Sequence, residues 1–279
     1  NAARKETRAL AEERAKHPFD DIETAPLDYL PKAWSEPYGT LQDTVYEVYD
    51  LQAIRIDGAA EHPTALVQSA AMASVPPPVP SYRPVLPKTL VRDGLLSAPQ
   101  LESVIYAGNA HETHLKGLFK RGEIEGQLIA AAEGDEGAFR LRKGWFLGDG
   151  TGCGKGRQVA GIILDNWLQG RRRAVWVSKS DKLIEDARRD WMALGGRESD
   201  IVPLSKFRQG SDIRLPEGIL FVTYATLRSA EREGKAARLE QVTSWLGEGF
   251  DGVIAFDESH AMANAAGEKS DRGDKKASQ

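Results

Sequence analysis

The segment Gly148-Asp149-Gly150-Thr151-Gly152-Cys153-Gly154-Lys155-Gly156-Arg157 joins a permissive backbone to two cations. Glycines let successive backbone N–H groups turn inward and approach an anion closely. The apolar run GWFLG precedes the segment and the helical pattern GRQVAGIILDNWL follows it. A strand, a glycine-rich turn and a helix are the setting a phosphate loop needs. The helix start adds the positive end of its dipole. Gly150, Thr151, Gly152, Cys153, Gly154, Lys155, Gly156 and Arg157 are therefore candidate nucleotide-binding residues, with Lys155 bridging the terminal phosphates. Two positions depart from G-x-x-x-x-G-K-[ST]: Asp149 stands at the first glycine, and Gly156 stands where a hydroxyl residue is expected. A plain tight turn is the alternative for such a loop. Cys153, flanked by Lys155 and a helix start, is expected to have a lowered thiol pKa.

A second group is Val253-Ile254-Ala255-Phe256-Asp257-Glu258-Ser259-His260, an apolar strand ending in two carboxylates. Ligands of open α/β sheets bind at that strand end. Asp257 suits Mg2+, held through water. Glu258 suits orientation and deprotonation of an attacking water. His260 is a candidate for coupling the site to a second domain; a surface polar group is its alternative, and a helix N-cap pair is the alternative for the carboxylates. A third candidate is Gln100, whose amide offers the donor and acceptor that match the adenine edge; a solvent-facing helix residue is the plain reading. A rival chemistry shares these letters. Methyltransferases that use S-adenosylmethionine carry a D-x-G-x-G-x-G-like turn, but they want a carboxylate at the end of the next strand. Here that strand ends Val177-Ser178-Lys179-Ser180.

These residues need elements to hold them. LSAPQLESVIYAGNAHETHL has apolar residues at helical spacing after Ser97, a possible N-cap. RAVWVSKS and GILFVTYATL read as buried strands, and DKLIEDARRDWMAL and RLEQVTSWLGEG as helices. Strands alternating with helices imply a parallel sheet covered on both faces, an α/β fold. The preceding region is different: ten of the 14 prolines fall between residue 19 and about residue 95. That density argues against a regular core there and predicts an irregular arm, or a plain linker, over residues 1–95, with one short helix at Thr64–Ala73 and extended chain through VPPPVPSYRP. The α/β lobe is expected over residues 96–265, and residues 266–279 form a polar, unordered tail.

Composition narrows the classes. Of 279 residues, 41% are hydrophobic and 28% charged, which excludes a mainly disordered, collagen-like or coiled-coil chain. No apolar run is long enough to span a membrane, and the charged first residues do not read as a secretory signal. One cysteine excludes an internal disulfide or a cysteine-cluster zinc site and favours a reducing, intracellular compartment. With 37 basic and 41 acidic residues there is no global basic field, so any nucleic-acid contact has to be local.

Taken together, the motifs resemble those of helicase superfamily 2. PQLESV resembles the Q-motif region of Swi/Snf-type translocases, DGTGCGKG their motif I, and DESH their DExH box. The string GDGTGCGKGRQVAGII, with HPTALVQSAAMASVPPP upstream, resembles the strawberry notch family and its bacterial and phage relatives. VWVSKSDKLIEDARRDW resembles motif Ia, and LFVTYATL the motif Ib–Ic region. The resemblance covers roughly residues 60–265. In that family glycine after the lysine is usual, which leaves the Mg2+ ligand supplied elsewhere by Ser or Thr unassigned at Gly156.

The resemblance implies a RecA-like P-loop NTPase lobe that binds ATP and Mg2+, within a nucleic-acid-dependent ATPase with two such lobes. DNA is expected ahead of RNA as the partner, and no membrane. It further implies phosphate-backbone contacts at Ser178, Lys179 and Ser180, and at Thr223, Tyr224 and Thr226. The chain is expected to be a fragment whose parent carries a second RecA-like lobe and, in some relatives, a methyltransferase domain. Turnover by the fragment is expected to be poor. A cytoplasmic protein of bacterial or phage type is expected. A nucleotide-dependent interaction module with little turnover is the runner-up, and a methyltransferase domain is disfavoured by Lys155 and DESH together.

Overall fold

The computed structural model describes residues 16–35, 45–124, 127–228 and 237–262. The chain divides into two compact units, residues 1–170 with 189–197, and residues 171–188 with 198–279. The polar tail expected over residues 266–279 lies outside the described residues.

In the first unit, short antiparallel pairs precede the helices. β1 (Thr24–Pro26) pairs with β6 (Val85–Pro87), β2 (Leu30–Pro31) with β4 (Ile54–Arg55), and β3 (Tyr46–Val48) with β5 (Val67–Ser69). Pro26, Pro31 and Pro87 lie within these ladders and cannot donate to them, which keeps the pairs short. The helix expected at Thr64–Ala73 is corrected. Val67 pairs with Val48 across a ladder, so only Ala70–Ala73 (α1) is helical, capped by Ser69, whose hydroxyl accepts from the Met72 N–H. A second short helix, α2 (Lys88–Arg92), follows β6.

The unit is centred on α3 (Ala98–His111) against α4 (Lys155–Leu168). Pro99 occupies the first turn of α3, where its missing N–H costs nothing. Leu101, Val104, Ile105 and Ala107 form the buried face of α3. Gly161 lets the helices approach closely, since a Cβ there would lie 3.0 Å from Val104 and 3.1 Å from Leu96. The irregular chain is fastened to α4 through Asp165, which is 2% exposed. Its carboxylate accepts from Tyr82 Oη at 2.5 Å, the Val85 N–H at 2.7 Å and Gln169 Nε2 at 2.7 Å. His17 and Phe19 add an aromatic contact, their rings centred 4.8 Å from Trp167 and 5.5 Å from Trp191 respectively.

Between α3 and the glycine loop, β7 (Leu118–Arg121) pairs with β8 (Leu128–Ala131). Bridges His114↔Arg142 and Phe119↔Phe139 extend the pairing to a third segment. The strand expected at GWFLG is corrected: residues 144–150 carry no strand, and Trp145 and Phe146 are exposed. Ladder bonds stop at Lys143, whose N–H donates to the Thr113 carbonyl at 2.8 Å, and Gly144 follows. Trp145 stacks on Tyr106 instead, with ring centroids 6.0 Å apart.

The second unit holds a four-stranded parallel sheet. Its strands β9 (Arg173–Ser178), β10 (Ile201–Pro203), β11 (Gly218–Thr223) and β12 (Val253–Phe256) run in the order β10-β11-β9-β12. All six residues of β11 and the last five of β9 are buried, as expected of central strands covered on both faces. α5 (Ile184–Met192), whose residues from Arg189 onward belong to the first unit, α6 (Tyr224–Leu227) and α7 (Arg238–Leu246) are the helices of this region in chain order. Val242 and Trp245 of α7 join Val175, Val177, Leu220 and Val222 in one core. A parallel sheet flanked by helices is the architecture of a RecA-like P-loop NTPase lobe. No described helix is long and apolar enough to cross a membrane.

Candidate functional site

In the first unit the loop enters α4 through left-handed glycines, Gly152 at φ 95° and Gly154 at φ 73°. Gly154 is the N-cap of α4, and no side chain accepts from the N–H groups of the first turn. A Cβ at Gly154 would lie 2.4 Å from Gln100 Nε2. Gln100 and Gln158 pin the loop from behind: their Nε2 atoms donate to the Cys153 carbonyl at 3.3 Å and 3.1 Å. Gln158 also donates to Asp149 Oδ2 at 2.9 Å. Lys155 Nζ lies over the loop, donating to the carbonyls of Asp149 at 2.9 Å and Gly150 at 3.1 Å. Thr151 and Gly152 are exposed beside it. Arg157 points elsewhere: its guanidinium donates to the Leu95 carbonyl at 3.3 Å and meets Asp190 Oδ1 at 3.4 Å.

Gln100 is buried, and its amide works on both sides. Oε1 accepts from the Ser97 N–H at 3.0 Å, closing the start of α3, while Nε2 holds the loop. The Cys153 thiol corrects the expected direction. Its pKa is raised, chiefly by partial burial and then by Asp149, against the lowering effects of Lys155 and a hydrogen bond from the Gly150 backbone. Desolvation of the thiolate outweighs the nearby cation.

Behind the loop lies a group that its sequence pattern does not reveal. Glu102 on α3 is 7% exposed and accepts a hydrogen bond from Tyr49 Oη. Burial pushes its carboxyl up to about 7. The Tyr49 bond and Lys32 lower it, and the charges of Asp149 and Asp50 raise it. Burial and Glu102 together raise the Tyr49 phenol.

In the second unit the residues after β12 are braced by neighbouring strand ends. The Asp257 N–H donates to the Val177 carbonyl at 2.8 Å, continuing the ladder. Ser178 Oγ donates to Asp257 Oδ2 at 2.9 Å, and Tyr224 Oη to the Asp257 carbonyl at 2.8 Å. Glu258 is the non-glycine residue with positive φ among those described, at 52°. That strained conformation carries its carboxylate to His260, with Oε2 and Nδ1 3.2 Å apart, both side chains being substantially exposed.

Three expected phosphate contacts are corrected. Ser178 is fully buried and commits its hydroxyl to Asp257, and Tyr224 is buried and commits its own to the Asp257 backbone. Thr223 is buried too, and its Oγ1 accepts from the Thr226 N–H at 3.2 Å, capping α6. Hydroxyl type alone does not distinguish such braces from surface contacts; burial does. Lys179 is exposed, Ser180 and Thr226 are half-buried, and Ser180 Oγ accepts from the Lys182 N–H at 3.3 Å.

Comparison with known proteins agrees with this geometry. Residues 61–279 match the family model described as "P-loop containing NTP hydrolase pore-1". The chain is 40% identical over 211 residues to protein strawberry notch homolog 2 of Mus musculus, covering 75% of this chain and 14% of that protein. It is 37% identical over 218 residues to protein strawberry notch homolog 1 of Gallus gallus, covering 76% and 16%. It is 35% identical over 207 residues to protein FORGETTER 1 of Arabidopsis thaliana, covering 73% and 14%. No solved structure matches the chain. The chain belongs to the strawberry notch family of P-loop NTP hydrolases. Nucleotide binding in general follows from that membership. The matched stretch spans about one seventh of the length of these relatives, which are larger proteins. The expected bacterial or phage source is corrected, because the relatives are animal and plant proteins. Phosphate-loop and DExH motifs serve the chemistry and carry no mark of the source.

Proposed function

We propose that the chain is the ATP-binding lobe of a nucleic-acid-dependent ATPase, with residues 96–265 as the lobe and residues 1–95 as an arm along it. The observation that carries this reading is the uncapped start of α4 behind two left-handed glycines, with Lys155 at its first position. Such a terminus suits a polyphosphate. Gly150, Thr151, Gly152, Cys153, Gly154 and Gly156 line the cradle, and Lys155 exchanges its two loop carbonyls for phosphate oxygens.

Mg2+ fits the donor set, since the carboxylates of Asp257 and Glu258 are hard oxygen ligands of the kind it takes, alongside phosphate and water. Bound Mg2+ would neutralise phosphate charge. Asp257 is held in place for it by Ser178, and Glu258 orients the attacking water. Gln100 keeps one N–H and one lone pair for adenine beyond those it spends on the loop and on Ser97. Arg157 supports the cradle from outside through Asp190 and Leu95. His260 couples Glu258 to further domains. Lys179, Ser180 and Thr226 remain as backbone contacts to nucleic acid, DNA ahead of RNA.

Calorimetric titration of the chain with ATP and Mg2+ tests the binding, with S-adenosylmethionine as the competing ligand. Lys155→Ala is expected to abolish ATP binding. Glu258→Gln is expected to keep binding and to lose the hydrolysis that DNA stimulates in the full-length protein. Binding of S-adenosylmethionine but not ATP would overturn the reading.

A further inference from the structure

The glycine loop carries a carboxylate, Asp149, at the position where phosphate-binding loops have their first glycine. An acid this near a phosphate site is a hazard twice over. It repels the ligand, and it can neutralise the cation that should meet the ligand. That cation is close at hand, since Lys155 Nζ lies 2.9 Å from the carbonyl oxygen of Asp149 itself. Yet among the described residues the Asp149 carboxylate makes no ion pair with Lys155.

What holds the carboxylate is Gln158, in the first turn of α4, whose Nε2 donates to Asp149 Oδ2 at 2.9 Å. No other described side chain bonds it. The same Nε2 donates to the Cys153 carbonyl at 3.1 Å, so both of its hydrogens are aimed at the loop and tie its start to its end. Gln158 is 1% exposed, and its Oε1 is buried with no hydrogen-bond partner among the described residues. A buried acceptor without a partner is destabilising, and a methionine would fill the same space without that cost. The gain at this position therefore lies in the two N–H donors. Held this way, the carboxylate acts on the inner side of the loop, where its charge raises the Glu102 carboxyl and the Tyr49 phenol.

We propose that Gln158 is a positioning residue of the nucleotide site: its amide keeps the Asp149 carboxylate off Lys155 and so leaves the ammonium free to take phosphate oxygens. Lys155 then gives up only neutral carbonyls, those of Asp149 and Gly150, when phosphate arrives. A released carboxylate would compete for the cation with a full charge, which makes it the stronger partner. This inference deepens the nucleotide reading above and rests on it.

The test is equilibrium binding of ATP with Mg2+ to the full 279-residue chain, with thermal unfolding measured alongside. Gln158→Met removes both donors at similar length, while the Cys153 carbonyl keeps its bond from Gln100. It is expected to weaken ATP by about tenfold or more, the value of a hydrogen bond to a charged group. Asp149→Asn alone keeps an acceptor for Gln158 and is expected to bind ATP at least as tightly as wild type. In the double variant, Gln158→Met with Asp149→Asn, no charge is left to capture Lys155, and ATP affinity is expected to return to the wild-type value. A loop that is merely loosened would not be repaired by neutralising Asp149. A double variant that binds ATP as poorly as Gln158→Met therefore overturns the proposal and leaves Gln158 a strut of the loop. A folded Gln158→Met chain with wild-type affinity overturns it too. If Gln158→Met does not fold, Gln158→Asn, whose amide is a methylene too short to reach Asp149, carries the same comparison. A wild-type chain that binds no ATP defeats the nucleotide reading itself, a result distinct from bound ATP with no rescue by Asp149→Asn.

Discussion

Replacing Glu102 by glutamine should make the protein more stable, and only above acid pH. In the unfolded chain this carboxyl ionises near its ordinary value of 4.5, while in the folded protein it ionises at about 7. Between those values the folded state binds the extra proton. Stability from this group is therefore complete below the unfolded value and is lost as pH rises through about 7. The rise corresponds to about 3 kcal/mol, a large share of the total stability of a domain. Glutamine keeps an acceptor for Tyr49 Oη but never ionises, so it escapes the loss. The assay is denaturant unfolding of wild type and Glu102→Gln at steps from about pH 4 to about pH 8, comparing free energies at each step. The wild type is expected to lose about 3 kcal/mol relative to the variant across that range. Two parallel curves would refute the reasoning, because they would place the Glu102 carboxyl in water rather than beneath the loop.

Other outcomes are as direct. Gln100→Ala should weaken ATP more than GTP, by about 1–3 kcal/mol in a competition titration, because an adenine edge is left unpaired; equal losses would make Gln100 solely a clamp on the loop. Maleimide labelling of Cys153 should be slow at neutral pH, since the raised thiol pKa leaves little thiolate, and should quicken as the solution is made alkaline. Saturating ATP with Mg2+ should slow it further, and labelling indifferent to nucleotide would count against closure of the loop on phosphates. Ser178→Ala should lower the unfolding free energy by about 1.5–3 kcal/mol, the range for a hydrogen bond to a charged group. It should also weaken the Mg2+ dependence of nucleotide binding; an unchanged melting midpoint would show that the Asp257 bond contributes nothing.

Much of the scaffold is legible in the sequence because burial on both faces writes itself as unbroken apolar runs. RAVWVS and GILFVT become β9 and β11 for that reason, and the helical spacing after Ser97 and after Gly154 becomes α3 and α4. GWFLG carries the same signal and yet forms no strand, since an apolar run needs a partner's ladder as well as its own composition. At the site, the glycine loop and the DESH carboxylates are read from local order. Ser178 and Tyr224 are not, because a hydroxyl that braces an aspartate and one that meets a phosphate are the same letter. Glu102 is further from view. It matters through a neighbour distant in the chain, Tyr49.

The fastening of the irregular chain to α4 has a consequence during synthesis. His17, Phe19 and Tyr82 leave the ribosome long before the residues that receive them, since Asp165, Trp167 and Trp191 are translated later. A nascent chain paused in between exposes an aromatic-rich stretch with nothing to dock on. Such stretches seed β-pairing between neighbouring chains unless something interrupts them. Pro26, Pro31, Pro76, Pro77, Pro78 and Pro80 do so, each deleting a donor from any ladder that tried to form. The prolines that keep the native pairs short thus also protect the unfinished polypeptide from its neighbours on the polysome.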